Sequence, residues 1–336
     1  MIARARAPLR IDLAGGWTDV RPYAAAKGGA VVNVAIALYA HAMVRPGGRG
    51  IQLRALDLSA AASAQRVEDL RADGELALLK AAARRHARPG PFEVVTRSDG
   101  PPGAGLGGSG AMGVALVAAL GLANGLRRLP AEIAAEAFQT EVLEAGLLGG
   151  KQDQYAAALG GVQLLSFGDP EVGATQLQLP PASLRELEQS LVLCYTGASR
   201  VSGETHRRVW EAFARGERRV VDALDGIRAC ALAMRTALER GRLADVGQLL
   251  SENWRHQRAL AEGMQTPAMR RLEEIAVAAG AEGVKACGAG AGGCLVFLAR
   301  PGHEFDVAEA VRGAGGTVLP VGFDMAGVTS WEVAER

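Results

Sequence analysis

Charge of one sign is what this chain has least to spare. Its 37 Lys and Arg stand against 36 Asp and Glu, a formal net charge of +1. That balance leaves no footprint for nucleic acid or another polyanion. Histidine is also scarce: the five copies include no H-x-x-x-H or H-E-x-x-H spacing, so neither a structural nor a catalytic zinc is expected. The cysteines Cys194, Cys230, Cys287 and Cys294 show neither C-x-x-C spacing nor a secreted disulfide framework. They are expected to pack as small apolar residues in a reduced, cytoplasmic setting. No long apolar run is present. The longest, Ala30 to Val44, is interrupted by Asn33 and His41 and is too short to span a bilayer, so no membrane partner is expected. Met1 to Arg6 lacks the apolar segment of a secretory signal.

Glycine, by contrast, is abundant, with 44 copies in 336 residues. The richest stretch, Pro101 to Ala111, runs directly into an apolar helix-like segment, Met112 to Ala123. Glycines there let backbone N–H groups approach a ligand closely. A helix starting in such a loop aims its unpaired amides and positive dipole end at the same place, which suits a phosphate. Two known phosphate designs do not fit. Gly103, Gly105 and Gly108 satisfy G-x-G-x-x-G, but the region after the helix leads into another helix rather than a strand with an acidic residue. Gly288, Gly290 and Gly293 repeat the spacing and are followed by a strand, Cys294 to Leu298. Neither loop ends in Gly-Lys-Ser/Thr. Two glycine loops that are not dinucleotide sites point to another phosphate-binding design.

Strands are expected at Arg6–Ala14, within Ala30–Val44, at Phe92–Arg97 and at Gly161–Phe167. Helices are expected at Ser109–Asn124 and Ala131–Ala145, with a short helical segment in Gly149–Leu159. Pro170, Pro180 and Pro181 mark a junction, which divides the chain into residues 1–180 and 181–336. Beyond it come a strand at Leu191–Thr196 and a helical region from Gly203 to Ala279, broken near Gly216, Gly241 and Pro267. Strands at Gly283–Cys287, Cys294–Ala299, Thr317–Phe323 and Val328–Val333 follow, around a helix at His303–Arg312. Strand runs and helix runs are segregated in both halves, which makes the class α+β in two domains.

Four charged side chains stand out. Glu141 falls in the apolar stripe formed by Ile133, Ala134, Ala137, Phe138, Val142 and Ala145. A carboxylate facing a core needs a cation or hydrogen bonds; at the edge of the stripe it reaches solvent instead. Asp153 lies near a short helix start, where it either complements the dipole or sits close enough to a reacting hydroxyl to take its proton. Arg10 is mid-strand on the same face as Asp12, a position that calls for an anion or a buried carboxylate. Asp19, after Gly15-Gly16-Trp17-Thr18, is either a turn residue or part of a site.

Together these segments resemble the GHMP kinase superfamily, which groups galactokinase, homoserine kinase, mevalonate kinase and phosphomevalonate kinase. Ala7 to Gly16 is similar to its first motif, Pro101 to Ala111 to its phosphate loop, and Lys285 to Leu298 to its third, glycine-rich motif. Ala137 to Glu141 is similar to the segment that carries a magnesium-binding Glu in mevalonate kinases. The resemblance implies an N-terminal domain like the second domain of ribosomal protein S5 and a ferredoxin-like C-terminal domain. It implies ATP as phosphoryl donor and Mg²⁺ held by Ser109 and Glu141. Pro102, Gly103, Ala104, Gly105, Leu106, Gly107, Gly108, Ser109 and Gly110 would wrap the nucleotide phosphates. Asp153, paired with Arg10, would be the general base or would orient the acceptor hydroxyl. Gly108 stands where many members have serine and Gly110 where they have alanine, but Ser109 is retained.

Within the superfamily, Leu13 to Asp19, Gly149 to Ala158 and Tyr195 to Arg200 are most similar to bacterial kinases acting on D-glycero-D-manno-heptose 7-phosphate. Their activity implies phosphorylation of the anomeric hydroxyl of a sugar phosphate. Acceptor contacts would then come from Arg10, Gly15, Gly16, Thr18, Asp19, Gly150, Lys151, Arg200, Gly290 and Gly292. Lys151 and Arg200 either hold the acceptor's phosphate or face solvent. Trp17 departs from the expected glycine and is similar to fucokinase-type domains; it either stacks on a sugar ring or belongs to the core. The alternatives are a fucokinase- or galactokinase-like kinase of a neutral sugar, a mevalonate kinase, a sugar sensor without catalysis, and a decarboxylating lyase.

Overall fold

The computed structural model describes residues 1–147, 149–197 and 203–335. The first half contains β1 (Ile2–Ala14), α1 (Arg21–Lys27), β2 (Gly29–Pro46), β3 (Ile51–Ala55), β4 (Ala60–Ala64) and α2 (Ala77–His86). It continues with β5 (Phe92–Ser98), α3 (Gly108–Ala123), α4 (Pro130–Gln139), α5 (Gln152–Leu159), β6 (Val162–Phe167) and β7 (Val172–Gln176). The second half has α6 (Pro181–Ser190), β8 (Leu191–Tyr195), α7 (Gly203–Ala214), α8 (Arg218–Glu239), α9 (Leu243–Arg258) and α10 (Pro267–Ala278). It closes with β9 (Ala281–Ala286), β10 (Cys294–Ala299), α11 (Glu304–Gly313), β11 (Thr317–Leu319) and β12 (Thr329–Val333).

An eight-stranded sheet runs β12-β1-β2-β5-β3-β4, with β6 added on β2 and β7 on β6; a four-stranded sheet runs β11-β8-β10-β9. Every described pairing is antiparallel except that of β3 with β5. The α+β class therefore holds. β1 to β7 lie in the larger sheet and β8 to β11 in the smaller one. β12 crosses back to pair with β1, Val333 opposite Ile2.

Ala30–Val44 forms one continuous strand, β2, rather than two. It is long enough to pair with β1 along most of its length, with β5 over Ala40–Pro46 and with β6 over Gly29–Val34. Pro8 to Ala14 is buried without alternation, because helices of both halves pack on β1. Thr317–Phe323 is shorter than expected, ending at Leu319: Pro320 has no N–H to donate, and Phe323 instead bridges Ile36. Ala131–Ala145 also differs. The α-helix stops at Gln139 and Thr140–Glu144 widens into a π turn, closed by the Ala145 amide on the Thr140 carbonyl at 3.0 Å. The helical region of the second half breaks at residues 215–217, 240–242 and 259–266, at the three places expected near Gly216, Gly241 and Pro267.

α3 is the hub of the main core. Val114, Leu116, Val117 and Leu120 are sealed from solvent, and each such side chain contributes roughly 1.5–3 kcal/mol of burial energy. That packing fixes the start of α3, and with it the glycine loop. No helix among the described residues is long and apolar enough to cross a membrane.

Candidate active site

A cleft of about 490 Å³ opens where the glycine loop, the residue 16–20 loop, the start of α5 and the β9–β10 turn converge. Gly107, at φ 72°, lets the chain turn into α3 in a backbone conformation that side chains other than glycine rarely adopt. The amides of the first helical turn are those an α-helix leaves without a helical partner, and they begin at Gly108. Pro102 to Ser109 all line the cleft. Gly110 sits just behind it, where a Cβ would lie 2.6 Å from that of Asp153.

Arg10 ties three segments together. Its Nε donates to Asp153 Oδ1 at 2.8 Å, and one terminal nitrogen donates to the carbonyls of Gly105 (2.6 Å) and Cys287 (3.0 Å). Its other terminal nitrogen lies 2.7 Å from Asp153 Oδ1. Burial opposes the guanidinium charge, yet Asp153 and Asp12 together raise its pKa above the ordinary value. Asp153 is in the first turn of α5, with its side chain partly open to the cleft.

Glu141 is buried at the π turn. Ser109 Oγ donates to its Oε1 and Gln154 Nε2 to its Oε2, both at 2.6 Å. Burial, and then the charge of Asp153, raise its pKa against those two hydrogen bonds. Both donors are neutral, so a cation is what would best stabilise the ionised form. A hydroxyl and a carboxylate beside phosphate oxygens make a donor set that suits Mg²⁺.

Asp19 reaches the cleft from the other side, its Oδ2 accepting the Gln152 amide at 3.1 Å. Burial, assisted by Asp153 and Asp12, pushes its pKa up to about 7. Gly16 and Gly150 line the cleft, and a side chain at Gly150 would collide with the Asp19 carboxylate.

Other expected acceptor contacts lie elsewhere. Gly15 and Thr18 shape the loop without lining the cleft. The Gly15 amide donates to Asn253 Oδ1 at 2.9 Å, and the Thr18 hydroxyl donates to the Gly15 carbonyl at 2.7 Å. Lys151 turns away. Its ammonium donates to the Pro170 carbonyl at 2.8 Å and lies over the Phe138 ring. Gly290 and Gly292 are displaced from the cleft because their turn docks on residues 259–266, with the Ala291 amide on the Met264 carbonyl at 2.7 Å; Gly288 and Ala289 line the cleft instead. Arg200 lies outside the described residues.

The structure adds residues that spacing did not single out. Gln152 and Gln154 line the cleft beside Asp153, and His206 reaches it from α7. His206 stacks on Trp17 with ring centroids 4.4 Å apart, and burial lowers its pKa. Trp17 is both cleft lining and core: it sits at φ 80° and packs with the cluster around Val209 and Leu224. An apolar wall of Ala55, Leu58, Leu76, Leu79 and Met112 completes the cleft. No sequence signal marks that wall, because its residues come from separate elements that meet only in the fold.

Residues 76–161 match the family of GHMP kinases N terminal domains, and residues 234–317 match that of GHMP kinases C terminal domains. The D-glycero-alpha-D-manno-heptose 7-phosphate kinase of Campylobacter jejuni is 32% identical over 98% of this chain and 99% of its own length. The L-fucokinase/L-fucose-1-P guanylyltransferase of Bacteroides fragilis is 30% identical over 88% of this chain, which spans 34% of that longer protein. The crystal structure of a D-glycero-D-manno-heptose 1-phosphate kinase from Bacteroides thetaiotaomicron superposes with a TM-score of 0.82 at 29% identity, covering 99% of this chain and 100% of the other.

Proposed function

The chain belongs to the GHMP kinase family and is an ATP-dependent sugar kinase, and we propose that its acceptor is D-glycero-D-manno-heptose 7-phosphate, converted to the 1,7-bisphosphate. The observation that carries the catalytic reading is Asp153, held by Arg10 between the glycine loop and the loop of Asp19. The terminal phosphoryl group of ATP passes to the anomeric oxygen, ADP leaves, and the hydroxyl proton goes to Asp153. Arg10 engages Oδ1, so the second carboxylate oxygen is assigned to the acceptor. Positioning and neutralisation of charge dominate such a transfer. The amides at the start of α3 hold phosphate oxygens, and Asp19 binds acceptor hydroxyls. Ser109 and Glu141 would hold Mg²⁺, which would supply positive charge against that of the transferring phosphates.

The phosphorylated acceptor rests on the full-length relative. It does not rest on Lys151, which points away from the cleft. A second reading, a neutral sugar such as L-fucose, is favoured by the carboxylates Asp19 and Asp153, which line the cleft together with Trp17 and His206. Steady-state kinetics on heptose 7-phosphate, unphosphorylated heptose, L-fucose, galactose and mevalonate distinguish the two. The highest kcat/KM is expected for heptose 7-phosphate; a higher value for any neutral sugar or for mevalonate would replace this assignment.

A further inference from the structure

Away from the cleft, Cys230 on α8 and Glu252 and His256 on α9 bring a sulfur, a carboxylate oxygen and an imidazole nitrogen within 4.8 Å of one another. Sequence spacing gave no hint of a metal, because the donors are divided between two helices. Glu252 and His256 are four residues apart and so share one face of α9. Two further facts show that the fold accommodates the cluster. Gly226 stands one turn before Cys230, and a Cβ there would collide with the His256 ring. An interior glycine costs a helix about 1 kcal/mol relative to alanine, and this one opens the notch in which the imidazole lies beside the thiol. One ligand-to-ligand distance is also near that of a tetrahedral site: His256 Nε2 is 3.8 Å from Glu252 Oε1, against roughly 3.3–3.5 Å between a nitrogen and an oxygen ligand of zinc.

We propose that Cys230, Glu252 and His256 form a zinc site that clamps α8 to α9. Thiolate, imidazole and carboxylate are zinc ligands, and the fourth position is left to water. Binding replaces the S–H bond of Cys230 with a Zn–S bond and releases that proton to solvent. Burial places the thiol pKa up at about 11, so the metal has to displace a proton that is otherwise firmly held. The competitor for the nitrogen lone pair is Arg255, whose guanidinium donates to His256 Nε2 at 3.1 Å and which must swing into solvent. The clamp is coupled to the cleft through neighbouring residues. Asn253, next to Glu252, accepts from the Gly15 amide, and Ala231, next to Cys230, packs on Gly15. Zinc here therefore stiffens the base of the loop that carries Trp17 and Asp19.

The test is equilibrium dialysis of the full chain against Zn²⁺, with Co²⁺ absorption as a second readout. One-to-one zinc uptake is expected, and a thiolate-to-cobalt band in the near ultraviolet. Cys230→Ser and His256→Ala are expected to weaken uptake by at least about 100-fold, the upper end of what losing an outer partner of a metal ligand costs. Both should keep Mg²⁺-dependent kinase activity, which also shows that they are folded. Arg255→Gln should bind zinc more tightly, and Glu141→Gln should bind it as wild type does. Absence of uptake by the wild type, a cobalt complex without a thiolate band, or uptake lost only in Glu141→Gln would overturn the proposal.

Discussion

The ammonium of Lys285 lies 2.8 Å from Asp12 Oδ2, and the two side chains are 0% and 4% exposed. Lys285 also donates to the backbone carbonyls of Asp12 and Ala286, so β9 of one sheet is pinned to β1 of the other through a charge that water does not reach. Removing one partner strands the other, which typically costs about 3–5 kcal/mol, whereas replacing both with apolar groups often costs little. Lys285→Met should therefore lose stability on that scale in urea unfolding, and adding Asp12→Leu should restore part of it. Strictly additive losses in the double variant would mean the pair is not coupled.

Asp153→Asn should lower kcat by about 10²–10⁴-fold, the usual contribution of a positioned proton acceptor, while the KM for ATP changes little. The amide keeps the shape and can still accept from Arg10, so the loss isolates the proton. Turnover near that of the wild type would remove Asp153 from the chemistry.

Glu141→Ala should raise the Mg²⁺ concentration needed for half-maximal rate by roughly tenfold or more, equivalent to about 1.4 kcal/mol of lost contact. The variant also frees Ser109 and Gln154, both of which donate to Glu141. A metal titration that superposes on the wild type would make Glu141 a packing residue only.

Asp19 makes stability depend on pH in a direction opposite to that of a salt-bridged acid. Burial raises its pKa to about 7 from the ordinary value of 3.8. Between those values the unfolded chain loses the proton while the folded chain keeps it. The group's contribution is thus fully present below about pH 4 and lost as the pH rises to about 7, by on the order of 4 kcal/mol. Asp19→Asn should flatten this part of the profile, so that the variant gains on the wild type at pH 8 relative to pH 4. Parallel profiles from chemical unfolding would show that Asp19 titrates alike in the folded and unfolded chain.

What the sequence made legible were features written in consecutive residues. The loop from Pro101 to Ala111, the alternation around Arg10 and the stripe holding Glu141 each needed only local spacing, and each of these segments reaches the cleft. Lys151 failed the same reasoning. Its neighbour Asp153 enters the cleft, but two residues along the start of α5 turn a side chain to another face, where Pro170 supplies an acceptor. The pairing of Lys285 with Asp12 was out of reach, since 273 residues separate them and nothing in either segment names the other. His206 and the wall of Leu58, Leu76 and Leu79 were illegible for the same reason: each is an ordinary residue in its own helix or loop.

The return of β12 to β1 also sets an order of events during synthesis. β1 is made long before β12, so one of its edges stays open until residues 329–333 exist to cover it. A half-made chain therefore displays a strand with unpaired amides and carbonyls, the kind of edge on which other chains can add. The N-terminal sheet cannot be completed while the C-terminal half is still being translated. Any shortening before Thr329 would leave that edge of β1 without the strand that covers it.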